Sequence, residues 1–421
     1  MWFIVVFYQL LIQFSNLAKI QLYDHPGQFE PLMPGEHRLA PLLALAHSLE
    51  RVTSELALFG APPELLELLR GMNSYYTNRM EGEHTRPAEI AQALRKNFSG
   101  DEALAKKQRL AIAHMDTEAA LEARFSSATE AGMDALYSAE AVCTIHSELF
   151  GRLPAGDLFT NQGEPISPGS LRQRDVSVGR HVAPTHGSLP VFLARWAGFY
   201  GGVRAGEASL LAALCAHHRL SWIHPFVDGN GRVARLHTHT TLHALGYTRG
   251  LWSPLRGFAR STSEYFARLD DADSPRKGDL DGRGNLSEQA LLDWLTYALN
   301  LCVDQARFMQ QLLRPTEFVQ RIQACLLFEQ SVRKSGVRVE ALRPLHYLWL
   351  TGQGLSRGDF KSMMPLGERI ATDTLSALVS RGLLVSDTPQ GKVRCAVPHH
   401  ALRFLFPALW PEAEADAEIG V

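Results

Sequence analysis

The stretch His224-Pro-Phe-Val-Asp-Gly-Asn-Gly-Arg-Val-Ala-Arg235 lies between two helical patterns, and its reading governs the rest of the chain. The first pattern, strong over Ser209 to Arg219, is stopped by Pro225, because the residue before a proline is pushed out of the α region. The second runs from about Gly231 to Leu245 and stops at Gly246. At such a start, the backbone N–H groups of Asn230 and Gly231 meet the positive end of a helix dipole, which makes an anion site. Gly229 and Gly231 let the backbone approach a phosphate closely. Arg232 and Arg235 are three apart and project from one face of the first turn, so two guanidiniums suited to a polyphosphate stand beside the amides. Asp228 offers a hard oxygen ligand for Mg²⁺, which uses one or two carboxylates plus substrate phosphate. His224, at the loop entrance, titrates near neutral pH and suits a general base.

Other motifs compete for the same residues. Gly229-Asn-Gly231-Arg-Val-Ala234 matches a dinucleotide fingerprint in form, but that fingerprint follows a strand and has an acidic residue about 20 positions on. Here a helix precedes it, and no Asp or Glu lies between Arg235 and Ser263. No G-x-x-x-x-G-K-[ST] loop occurs anywhere. Asp-Gly and Asn-Gly are ordinary turn formers. Turn chemistry alone leaves the surrounding His, Asp and paired Arg without a reason.

Outward from the loop the chain reads as mainly α. Helical spacing runs over Pro41 to Leu69 (broken at Gly60-Ala-Pro-Pro63), Ala103 to Ala131, Met133 to Phe150, onward from Leu189, and over Leu286 to Leu313 with Ser287 as N-cap. Between them, Asp175-Val-Ser-Val178 alternates before Gly179 and predicts a short hairpin. From Ala341 the pattern changes. Three short helices (Ala341 to Leu350, Arg357 to Met364, Arg369 to Arg381) precede two strands, Leu383 to Val385 and Val393 to Val397. That is the winged helix-turn-helix order, with a small excess of basic residues.

Composition sets the outer bounds. The 421 residues leave room for two or three domains, and a net charge of −2 excludes a polybasic nucleic-acid coater and an acidic solvating tail protein. Hydrophobic residues are 46% and charged residues 20%, enough to bury a full core. The 5 cysteines are scattered, with no C-x-x-C, and fit a reducing cytoplasm better than a disulfide or zinc framework. The apolar start, Met1 to Phe14, falls short of the about 20 residues of a membrane span and has no basic residue before Lys19. No membrane association is expected.

The quoted loop resembles the signature of the Fic family, H-P-F-x-[DE]-G-N-G-R-x-x-R, at every specified position. The resemblance implies a Fic-type helical core with a short β-hairpin flap, plus a C-terminal winged helix-turn-helix domain. Expected boundaries are an apolar segment 1–30, a helical region 31–135, the Fic core 136–315, the winged helix 316–410 and an acidic tail 411–421. It implies a protein adenylyltransferase, moving AMP from Mg-ATP to a Ser, Thr or Tyr hydroxyl of a protein. His224 would be the base and Asp228 the Mg²⁺ ligand. The amides of Gly229, Asn230 and Gly231 would face the developing charge, Arg232 and Arg235 would hold the outer phosphates, and Phe226 would pin the loop. Thr77-Asn-Arg-Met-Glu81-Gly82 resembles the family's inhibitory motif, [ST]-x-x-x-E-[GN], and implies that Glu81 competes with the γ-phosphate for Arg235. Alternatives stay open: a winged-helix DNA-binding regulator whose Fic site senses nucleotide, transfer of another donor group, or removal of AMP. A homodimer is compatible with all of them.

Three further features stand apart. Trp252 and Tyr265 are aromatic candidates for an adenine pocket or for the core. His239 and His243 share a helix face, but there is no H-E-x-x-H and no obvious third metal ligand. Asp279-Leu-Asp-Gly-Arg-Gly284 hints at a calcium loop, yet Arg283 and Ala290 stand where ligands belong, so a turn before a helix is expected.

Overall fold

A computed structural model of the chain describes residues 23–59, 61–126, 129–203 and 206–410. The apolar start from Met1 and the acidic tail 411–421 lie outside the described residues. The fold is mainly α. The helices before the quoted loop are α1 Glu36–Leu56, α2 Pro63–Met80, α3 Pro87–Leu94, α4 Glu102–Arg124, α5 Glu130–Leu136, α6 Ala139–Phe150, α7 Leu189–Tyr200 and α8 Gly206–Ile223. After it come α9 Asn230–Ala244, α10 Pro254–Arg260, α11 Thr262–Ala272, α12 Glu288–Leu313, α13 Pro315–Ser331, α14 Leu342–Thr351, α15 Arg357–Ser362, α16 Glu368–Ser380 and α17 Leu402–Leu405. Two antiparallel pairs complete the chain: β1 Ser177–Val178 with β2 His181–Val182, and β3 Leu384–Val385 with β4 Arg394–Cys395.

Local chemistry explains where the helices begin. Asp101 caps α4, its carboxylate accepting from the Ala103 and Leu104 N–H groups at 2.8 and 3.3 Å. Ser287 caps α12 as the sequence predicts, through Ala290 N–H at 3.1 Å. Two expected continuous helices are broken. The Ala103 to Ala131 pattern stops at Arg124 and restarts under a Thr129 cap, whose hydroxyl accepts from Gly132 N–H at 3.1 Å. The Met133 to Phe150 pattern breaks at Ser138, which accepts from Ala141 N–H at 2.9 Å. In both places a hydroxyl offered the backbone an alternative to the helix ladder that hydrophobic periodicity cannot register.

The core is centred on α8, which is buried on nearly all of its surface. Trp196 of α7 and Trp294 of α12 are fully buried and donate their indole N–H to Ala216 and Leu214 carbonyls of α8, at 3.1 and 2.9 Å. Helix α1 packs along α12, and α9 lies beside α8. In this way α8 and α9 present their connecting loop from the buried centre of the helical core. The elements after α13 close back on α2. Arg394 Nε reaches Glu64 at 2.8 Å, the Tyr76 hydroxyl donates to the Leu409 carbonyl at 3.2 Å, and Gly71 leaves room for the Trp410 ring. In the Asp279 to Gly284 segment, the Asp281 carboxylate accepts from the Lys277 and Gln289 N–H groups at 2.9 and 2.8 Å, so it serves a turn before α12.

Candidate active site

Helix α8 ends in a left-handed cap. His224 has φ 50°, and its N–H still bonds the Leu220 carbonyl at 3.2 Å. Pro225 then prevents continuation. That cap swings the imidazole into a cavity of about 550 Å³ lined also by Glu81, Asn230, Gly231, Arg235 and Tyr265. Burial, with His181 and Arg172 nearby, pulls the His224 pKa down to about 4. The ring is therefore neutral at pH 7 and can take a proton.

The loop after His224 is stapled from within. The Asn230 amide accepts from Phe226 N–H and donates to Phe226 C=O, both at 2.9 Å. Phe226 is fully buried and stacks on His146 with ring centroids 4.0 Å apart. His146 also accepts from Gly169 N–H at 2.8 Å and contacts the Asp228 carbonyl at 3.3 Å. Gly229 sits at φ +79°, where a Cβ would lie 2.4 Å from a Phe150 ring carbon. Gly229→Ala is therefore expected to cost about 1–3 kcal/mol of stability. Thermal melting of the variant checks this, and an unchanged midpoint would mean that the loop relaxes freely.

The two arginines of the motif diverge. Arg235 enters the cavity lining and is fully buried; its Nε donates to the Thr77 hydroxyl at 2.7 Å, and Nη2 bonds a Glu81 carboxylate oxygen. Arg232 is outside that lining. Its guanidinium bonds Asp228 Oδ1 at 2.9 Å and lies over the Phe150 ring at 5.2 Å. Helical spacing put both on one face, but the carboxylate four residues earlier captures the first. Phe226, Asp228 and Gly229 also lie outside the lining of this cavity. Among the described residues both hydrogen bonds to the Asp228 carboxylate go to Oδ1, and the side chain is one-third exposed, so Oδ2 is open to a hard cation. A single exposed carboxylate beside an anion cradle fits Mg²⁺ carried in with a polyphosphate.

Glu81 caps the end of α2 and reaches the first turn of α9. A Cβ on Gly231 would be 2.4 Å from its Oε1, so any larger residue there would push the carboxylate aside. The carboxylate thus stands at the helix N-terminus, where an anion is stabilised. Burial alone would raise its pKa. Arg235 first, then Arg232 and His224, overcome that and hold it below the ordinary value.

Sequence reasoning missed Arg172. This buried guanidinium donates Nε to the His224 carbonyl at 2.8 Å, Nη1 to Arg174 C=O at 2.7 Å, and Nη2 to Pro184 C=O. It ties both ends of the β1–β2 segment to the residue that carries the imidazole. Its only sequence signal was an arginine at the base of a predicted hairpin. Of the aromatic candidates, Tyr265 lines the cavity and bonds His217 at 2.8 Å. Trp252 is core, its indole N–H donating to Tyr247 C=O at 2.8 Å. In the hairpin, Val178 and His181 border the cavity. His181 is anchored by the Trp222 carbonyl at 2.7 Å.

A model of the Fic/DOC family matches residues 136–242, the stretch holding α6 to α9 and the loop. The chain therefore carries a Fic/DOC domain over this stretch, set in a mainly helical architecture. Among curated proteins it is similar to the Protein adenylyltransferase Fic of Culex quinquefasciatus, 39% identical over 88 residues, which cover 20% of this chain and 17% of that protein. The Drosophila melanogaster protein of the same name is 40% identical over 88 residues, with the same shares. The match therefore spans about a sixth of the length of these relatives. A crystal structure of a Fic family protein from Desulfovibrio desulfuricans G20 has the same fold over 88% of this chain and 99% of its own, with a TM-score of 0.50 at 16% identity. No helix among the described residues is long and apolar enough to cross a membrane.

Proposed function

We propose that the chain is a protein adenylyltransferase, moving AMP from Mg-ATP to a Ser, Thr or Tyr hydroxyl of a protein target, and that Glu81 holds it in check. The observation that carries this reading is the Glu81 carboxylate seated on Arg235 at the start of α9, in the cavity that also holds a neutral His224. A carboxylate there takes the place of a phosphate oxygen.

The chain's own groups account for the step. The His224 imidazole takes the proton of the target hydroxyl as its oxygen bonds the α-phosphorus, and the bond to pyrophosphate breaks. The N–H groups at the start of α9 face the charge that grows on the α-phosphoryl oxygens. Once Glu81 withdraws, the Arg235 guanidinium is free to bind the outer phosphates. Mg²⁺ held by Asp228 would neutralise phosphate charge when bound. Val178 and the backbone of the β1–β2 hairpin offer a target segment an exposed edge beside His224, to which it can pair.

The test uses two labels. Incubated with a cell lysate and Mg²⁺, the Glu81→Gly protein should add protein label from α-labelled ATP over lysate alone and add none from γ-labelled ATP. Label from the γ-position would mean phosphoryl transfer, and label from neither would defeat the reading.

A further inference from the structure

A second cluster of chemically active side chains lies outside the cavity, between α4 and α9. His114, Glu118 and Glu122 recur every four residues along α4, and His239 of α9 faces them. The ligand atoms of Glu118, Glu122 and His239 all lie within 4.8 Å of one another. His239 Nε2 is 2.9 Å from Glu122 Oε1 and 3.6 Å from Glu118 Oε1. His114 Nδ1 is 3.9 Å from Glu118 Oε2.

His114 is the decisive member. Its side chain is fully buried, and neither ring nitrogen has a hydrogen-bond partner. Glu118 Oε2, the atom it approaches, is buried and unpartnered too. An imidazole and a carboxylate oxygen both left unsatisfied in a packed interior are costly without a ligand between them. The outer shell is already built. Arg70 bonds Glu122 Oε2 at 2.6 Å, Asn73 donates to Glu118 Oε1 at 2.7 Å, and the Ser253 hydroxyl meets His239 Nδ1 at 3.1 Å. That last contact turns His239 Nε2 toward the carboxylates.

We propose that His114, Glu118, Glu122 and His239 form a structural site for a zinc-type divalent cation clamping α4 to α9. Four ligands about 2.0–2.1 Å from a tetrahedral zinc stand roughly 3.3 Å apart. The His239 distances of 2.9 and 3.6 Å straddle that value, while His114, 3.9 Å from the other Glu118 oxygen and outside the group of three that lie within 4.8 Å of one another, has to swing in as the fourth ligand. Two imidazoles among the donors favour zinc over Mg²⁺ or Ca²⁺, which take oxygen ligands. Two carboxylates also balance the cation's charge. With all four positions filled by protein, no coordination position is left for substrate, so the role is structural. By this argument the ion braces the helix that carries Asn230 to Arg235 from its far side.

The experiment uses tag-free full-length protein stripped with a chelator and then titrated with zinc. One zinc per chain and a raised melting temperature are expected, and Co²⁺ in its place should give the visible absorption of a tetrahedral site. Glu118→Gln, close in shape, should weaken zinc binding by about 100-fold or more. His114→Leu separates the readings even if Glu118→Gln folds poorly. With a metal site it lowers zinc affinity. Without one, it removes two orphaned nitrogens and raises stability while zinc has no effect. Failure of the wild-type protein to bind one zinc more tightly than these variants would overturn the assignment.

Discussion

Replacing Glu81 with glycine is expected to raise adenylyl transfer by about 10- to 100-fold, measured as kcat/KM for ATP. A charge-assisted hydrogen bond contributes about 1.5–3 kcal/mol, less where one partner is part-exposed as Glu81 is, and transfer from ATP has to displace it. The carboxylate is ionised at neutral pH, because Arg235 and Arg232 together outweigh the cost of burying it. It occupies Arg235, the buried guanidinium that lines the cavity together with the His224 ring. Glu81→Gln separates charge from shape: the amide keeps the volume, loses the charge, and should release the enzyme partly. Equal rates for wild type and Glu81→Gly would show that the Glu81–Arg235 contact does not restrain the site.

His224→Ala should reduce transfer by about 10²–10⁴-fold, the range that a positioned general base supplies, with little change in ATP affinity. Nucleotide binding measured by calorimetry on the Glu81→Gly background keeps the two effects apart. The pH dependence has a definite sign. The folded-state pKa of His224 is lowered to about 4, so the neutral base is present above that value and is lost as pH falls through it. The rate limb controlled by this group should therefore lie near pH 4 rather than near the ordinary value of about 6.5. The same depressed value makes folding less favourable as pH drops from about 6.5 toward 4, because the unfolded ring takes up a proton that the folded one refuses. Retained transfer in His224→Ala would place the base elsewhere.

Much of the site was legible because it is local. Twelve consecutive residues specify a helix stop, a turn and a helix start, and each is read from backbone chemistry that needs no partner. What the sequence could not supply came from distant elements. Arg172 matters through three carbonyls, two of them at the ends of a hairpin and one at His224. The divergence of Arg232 from Arg235 was decided by Asp228 and Phe150, and periodicity along one helix contains neither. The His239 and His243 pair seemed to lack further ligands because Glu118, Glu122 and His114 lie far back in the sequence, on α4. Helix breaks at Thr129 and Ser138 were hidden for the opposite reason: they are single hydroxyls inside patterns that periodicity reads as unbroken.

The position of Glu81 in the chain has a consequence for synthesis. Glu81 precedes Arg235 by 154 residues, so the ribosome releases the carboxylate well before the guanidinium it pairs with. On the proposed reading, a growing polypeptide that has just completed the phosphate cradle already carries the stopper upstream, and the newborn protein need never pass through an uncorked stage.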